Sequence, residues 1–262
     1  IFLFFISITC YTQEADSLVN ALKTVTGKER ISILNDLVAD LGYYYPDSAK
    51  NYSKEALALA EEYGNDSTIA ETIHTGIYPF LGSGQYKEYQ SSLKYAIKIW
   101  RSLNLVKKEL STLNNLAVLQ LYSGDVDSAM KTVLTKVKLA ERTRDSLCIA
   151  ESYMLLSSIL SENENRIGAI KYLRKALPIF KTLRDSSNLG MSYSNLGNNF
   201  ESIGKIDSAK YYLFKGLNIF EAIEDTRELA KSYHNIGTFF ENEPDSSIVY
   251  LKRALTLHLL TN

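Results

Sequence analysis

Small and apolar residues return along the chain every 40 positions. Ala129, Ala169 and Ala209 form one column, which continues upstream through Tyr89 to Ala49. Seven residues after each comes a second column, Ala56, Ala96, Lys136, Ala176 and Gly216, and a shortened last copy supplies Ser247 and Ala254. Seven residues are about two turns of α-helix, so both columns share one helix face, where small side chains let a neighbouring helix approach closely. An earlier set marks a preceding helix: Leu116-Ala117, Leu156-Ser157, Leu196-Gly197 and Ile236-Gly237, with Tyr153, Tyr193 and Tyr233 three residues ahead of the last three. The pattern predicts an all-α chain built of paired helices.

Turn chemistry falls where the pairing needs it. Gly124-Asp125 and Gly204-Lys205 end first helices, because glycine tolerates the left-handed conformation there. Second helices are expected to start at Asp127-Ser128, Asp207-Ser208, Pro46-Asp47 and Pro244-Asp245, where Asp accepts a bond from an orphan N–H. A second set of caps, Asp66-Ser67, Asp145-Ser146, Asp185-Ser186 and Asp225-Thr226, closes each repeat. Only 4 of the 262 residues are proline, as a chain of helix interiors requires. Pro46 and Pro244 fall in turns, whereas Pro79 and Pro178 fall inside predicted helices and mark expected interruptions.

Tyr193, Leu196, Gly197, Phe200, Gly204, Ala209, Leu213 and Gly216 resemble the signature of the tetratricopeptide repeat, in a variant with longer helices. The resemblance is strong in the last four copies. In the second copy Gly76-Ile77 replaces Leu-Gly and Pro79 enters the first helix, which puts that helix's regularity in doubt. It implies a right-handed superhelical solenoid of antiparallel helix pairs, with six repeats at about 29–66, 67–106, 107–146, 147–186, 187–226 and 227–262. Residues 13–28 form a leading helix, with Leu18, Leu22 and Val25 as its apolar face.

The two ends read differently. Residues 1–12, Ile1-Phe2-Leu3-Phe4-Phe5-Ile6-Ser7-Ile8-Thr9-Cys10 and then a polar turn, are too short to span a bilayer but suit the apolar region of a truncated secretory signal peptide. A buried apolar helix and lipidation at Cys10 are the alternatives. At the other end Leu251, Leu255, Leu257, Leu259 and Leu260 make the last helix too apolar for water, so either it docks on something or the chain continues; continuation is the expectation.

Charge narrows the function. The 29 Lys and Arg against 30 Asp and Glu are interspersed, and no basic stripe suggests a nucleic acid. Cys10 and Cys148 lie too far apart in sequence for a CxxC pair or a zinc site. Gly82-Ser83-Gly84 lacks the context of a dinucleotide loop, and His74, His234 and His258 lack a metal-ligand spacing. Asp125-Val126-Asp127 lacks the rest of a calcium loop, and no phosphate loop or nucleophile elbow occurs. No enzyme, cofactor or metal is expected within these residues.

What remains is a surface for a protein or peptide. By the resemblance, first helices line a concave groove, and the positions facing it include Asn114, Asn115 and Val118; Met154 and Ser158; Met191, Ser194, Asn195 and Asn198; and Lys231, His234, Asn235 and Thr238, with Ser111 and Glu151 beside them. Asparagine can pair with peptide backbone as donor and acceptor together, or can satisfy groups between helices, and both readings stand. The carboxylate clamp of chaperone-binding relatives is absent: Asn198 and Asn235 match two of its columns, but Ser194 stands where its Lys belongs. A signal peptide ahead of long tetratricopeptide repeats is similar to the periplasmic input regions of bacterial sensor kinases and membrane-bound transcriptional regulators. A freestanding exported scaffold and a cytoplasmic peptide receptor are the alternatives. Membrane attachment is expected only through lipidation or a segment beyond Asn262.

Overall fold

The computed structural model describes residues 15–42 and 44–261, and of Leu260 and Thr261 the backbone alone. The signal-peptide reading of residues 1–12 and lipidation at Cys10 lie outside the described residues. Helix α1 (residues 15–21) is followed by six helix pairs: α2 (Gly27–Leu41) with α3 (Pro46–Tyr63); α4 (Asp66–Thr75) and α5 (Tyr78–Ser83) with α6 (Gln90–Ser102); α7 (Val106–Tyr122) with α8 (Val126–Thr143); α9 (Ser146–Glu162) with α10 (Arg166–Leu183); α11 (Ser186–Ser202) with α12 (Ile206–Ala222); and α13 (Thr226–Phe239) with α14 (Pro244–Thr261). No strand occurs among the described residues. The chain divides into two compact units, one reaching Lys136 and the other starting at Val137.

In the first unit α1, α2 and α3 share a core of Leu22, Leu34, Leu37 and Ala56, with Leu18 and Val25 packed against it. Leu22 and Val25 lie beyond the end of α1, so the leading helix is shorter than its apolar pattern. In the second unit the columns act as their size requires. Ala169, Ala176 and Ala209 are fully buried. A Cβ on Gly197 would meet Leu213 Cγ at 2.6 Å, and one on Gly237 would meet Leu251 at 2.7 Å, so glycine sets how closely each first helix approaches its partner.

A 20-residue period underlies the 40-residue one. Left-handed backbone recurs at Gly64, Gly84, Asn104, Gly124, Arg144, Glu164, Arg184, Gly204 and Glu224, just past the ends of α3 and of α5 through α12. At N-termini, Asp145, Asp185 and Asp225 accept from the amides of Cys148, Asn188 and Glu228, as expected. Other expected caps move by one or two residues. Asn65 rather than Asp66 caps α4, and Asp125 rather than Asp127 caps α8. Asp47, Asp207 and Asp245 sit inside their first turns, where they favour the helix dipole without capping it.

Of the two interior prolines, one interrupts. Pro178 is carried within α10, which runs unbroken from Arg166 to Leu183, contrary to expectation. Pro79 lies in the first turn of α5, and the first helix of the second copy breaks before it. The break frees the Ile73 carbonyl, which accepts from the Tyr89 hydroxyl at 2.9 Å. Tyr89 stands in the Ala column, and its ring stacks on Phe80 with centroids 4.4 Å apart. Burial pushes the Tyr89 phenol well above its usual range, against the opposing hydrogen bond with Ser53.

Candidate binding face on the first helices

In the second unit the first helices α9, α11 and α13 each turn one stripe inward. On α11 the inward stripe is Tyr193, Leu196 and Phe200, packed with Ile170, Leu173 and Ala209. The opposite stripe carries Met191, Asn195 and Asn198 at i, i+4 and i+7, each half-buried. On α9 the corresponding positions hold Glu151, Leu155 and Ser158, and on α13 they hold Lys231, Asn235 and Thr238; Met154 and His234 stand in the column of Ser194, and Met154 packs against the core.

Among the described residues, the side-chain amides of Asn195, Asn198 and Asn235 make no hydrogen bond; side chains reach only their backbone carbonyls, which accept from Asn199 Nδ2, Ser202 Oγ and Thr238 Oγ1. Three of the other polar groups are occupied, while the exposed His234 imidazole makes no hydrogen bond among the described residues. Ser158 and Thr238 return their hydroxyls to their own helices, and Lys231 pairs with Glu228 at 2.5 Å. Ser194 does not reach the face: it is buried at 9% exposure. Its Oγ has no hydrogen-bond partner and lies where a Cβ on Gly216 would come within 2.5 Å. At the stripe's far end burial, and secondarily Glu241, holds the Glu201 carboxyl above its usual range.

The first unit uses the same residue types internally. Asn114 Oδ1 accepts from Lys136 Nζ at 2.9 Å. Lys136 stands in a column of Ala and Gly and is only 2% exposed, so its ammonium depends on that amide. Asn115 Nδ2 approaches His74 Nδ1 at 3.4 Å, and the same His74 nitrogen lies 3.0 Å from Thr112 Oγ1, to which Trp100 Nε1 also donates. Burial lowers the His74 pKa, with Glu71 opposing and Lys108 reinforcing the shift. Val118 is half-buried beside this network. The two readings of asparagine therefore divide by unit: Asn114 and Asn115 bridge elements of the fold, while Asn195, Asn198 and Asn235 remain open.

Three aromatic and cationic clusters went unread in the sequence. Lys175 lies over Tyr153 and Tyr172, Lys215 over Tyr193 and Tyr211, and Arg253 over Tyr233 and Tyr250. Their signal was Tyr153, Tyr193 and Tyr233, each paired with a cation 20 to 22 residues later. Among the described residues no group of His, Cys, Asp and Glu could hold a metal ion.

Residues 150–179, from α9 into α10, match the tetratricopeptide repeat family model. That matched stretch is a repeat of the tetratricopeptide kind. No curated protein matches the chain in sequence. Among solved structures, BtubC (BKLC) from P. vanneervenii is similar with a TM-score of 0.70 at 17% identity, covering 83% of this chain and 92% of that one. A Rap protein complexed with competence and sporulation factor gives 0.71 at 15% identity, over 94% of this chain and 70% of that one. The signal transduction ATPase with a tetratricopeptide repeat sensor from Pyrococcus horikoshii gives 0.72 at 14%, over 97% of this chain and 40% of that one. At these identities the likeness is one of fold: paired helices of tetratricopeptide type.

Proposed function

We propose that the chain is a non-enzymatic module that binds a protein or peptide along the first-helix face of its second unit. The observation that carries this reading is the open set of amides, Asn195, Asn198 and Asn235, beside the half-buried thioether of Met191. These amides are open to solvent rather than used within the fold, and an amide offers a peptide backbone the donor and acceptor that it needs. Methionine fills irregular gaps against varied side chains. The likeness of fold to a Rap protein complexed with competence and sporulation factor supports a protein or peptide ligand.

The finer part of the proposal is a sensory role in an exported bacterial signal-transduction protein. The apolar residues 1–12 support export, and the tetratricopeptide repeat sensor of the Pyrococcus horikoshii ATPase supports sensing. Ligand capture would act by favouring one spacing of the first helices over another.

Two experiments test this. A ligand selected from a random peptide library against the native chain should bind the Asn195→Ala/Asn198→Ala/Asn235→Ala variant at least tenfold more weakly, three lost hydrogen bonds at about 1 kcal/mol each. Unchanged affinity at unchanged helicity refutes the face. N-terminal sequencing of the mature protein should begin beyond residue 12; an intact Ile1 in the soluble cytosolic fraction refutes export.

A further inference from the structure

Residues 166–184 hold six of the chain's 29 Lys and Arg, namely Arg166, Lys171, Arg174, Lys175, Lys181 and Arg184, and none of its 30 Asp and Glu. Interspersed charge, as the whole sequence suggests, fails here: five of the six fall on α10. That helix buries Ala169, Ile170, Leu173, Ala176 and Phe180 on one face. Lys171, Arg174, Lys175 and Lys181 stand exposed on the other, along about 15 Å at 1.5 Å per residue.

Among the described residues none of the six has a carboxylate within 4.0 Å. Rings hold two of them instead. The Arg174 guanidinium lies 5.7 Å from the centre of Phe200, and Lys175 Nζ lies 5.5 Å and 5.4 Å from those of Tyr153 and Tyr172. A ring positions a cation without neutralising it, so the charge stays available to a partner.

The width of the cationic zone selects that partner. The next second helix, α12, carries both signs on its exposed positions, Asp207 and Glu221 with Lys210, and Glu141 adjoins Arg142 at the end of α8. The unmixed lane is thus one helix wide, about 10 Å. A bilayer or a nucleic-acid duplex would bring phosphates against those flanking carboxylates as well. A single polypeptide segment fits the lane alone.

We propose that the exposed face of α10 is a docking lane for an acidic helix, one with Asp or Glu recurring every three to four residues. This site is separate from the first-helix face and does not depend on it.

The test uses the full chain and a fluorescein-labelled alanine-rich peptide of about 18 residues with Glu at every third or fourth position, read by fluorescence anisotropy. Saturable binding that weakens with added salt is expected, as exposed ion pairs are screened. Lys171→Glu/Arg174→Glu/Lys181→Glu should weaken it at least tenfold, with helicity unchanged and the thermal midpoint lowered only by the loss of the Arg174–Phe200 contact. The milder Lys171→Gln/Arg174→Gln/Lys181→Gln should fall between, and Asn198→Ala should bind as the native chain does. Absence of binding by the native chain, or equal binding by the reversed variant, overturns the proposal. So does tighter binding to phosphatidylserine vesicles or to a single-stranded oligonucleotide than to the peptide.

Discussion

Gly76→Ala tests how the broken first helix of the second copy is held together. A Cβ at Gly76 would fall inside the Tyr89 hydroxyl and within 2.8 Å of Ser53 Oγ. The hydroxyl has nowhere to retreat. It donates to the Ile73 carbonyl at 2.9 Å, its ring is stacked on Phe80, and the residue is 7% exposed. Displacing it leaves a buried carbonyl unpaired, about 1–3 kcal/mol. Repacking the ring costs about 1–3 kcal/mol more, and the better helix propensity of alanine returns at most about 1 kcal/mol. The net loss is about 1–5 kcal/mol, a fall of roughly 2–20 °C in thermal midpoint at about 2–4 °C per kcal/mol for a chain of this size. Urea and thermal unfolding followed by circular dichroism read this directly. In a Tyr89→Phe background the same substitution should cost at least about 1 kcal/mol less, because the clashing oxygen has gone. A Gly76→Ala protein as stable as the native one, or costs that simply add in the double variant, would refute the reasoning.

Gly216→Ala should destabilise by about 1–2 kcal/mol through its 2.5 Å approach to Ser194 Oγ and its 3.0 Å approach to the Gly190 carbonyl; Ser194→Ala, which removes an unpaired hydroxyl, should cost little alone and recover part of that loss in chemical denaturation, the backbone contact remaining. Glu224→Gly, at φ 54°, should raise stability by about 0.5–1 kcal/mol by relieving a left-handed non-glycine residue. Glu201→Gln should raise the thermal midpoint at pH 7 and leave it unchanged at pH 3. A carboxyl held above its usual range adds stability while protonated in both states and loses it as pH rises through the folded value.

The helix pairs were legible because their signal is local and periodic. Ala169, Ala176 and Ala209 announce close approach by size alone, and burial agrees. Cap positions were legible only to within a residue or two: Asn65 and Asp66, or Asp125 and Asp127, are chemically equivalent candidates, and backbone geometry chooses between them. Pro178 was misread because an interior proline removes a donor without always ending a helix.

The face was harder. Asn114 and Asn198 carry the same amide, and their difference lies 22 residues from Asn114, in a lysine that must bury its ammonium. That signal was present, since Lys136 is the one long polar side chain in a column of Ala and Gly. The Tyr89–Gly76 contact could not be read that way. It depends on where Pro79 breaks a helix, and so on tertiary geometry.

The central claim is that the open amides of α11 and α13 receive a polypeptide. Hydrogen–deuterium exchange of the chain with and without a peptide selected from a random library tests it most directly. Protection on binding should concentrate in α9, α11 and α13, with α7 unchanged, because Asn114 and Asn115 are already engaged. Protection confined to α10, α12 and α14, or spread evenly over both units, would contradict the account.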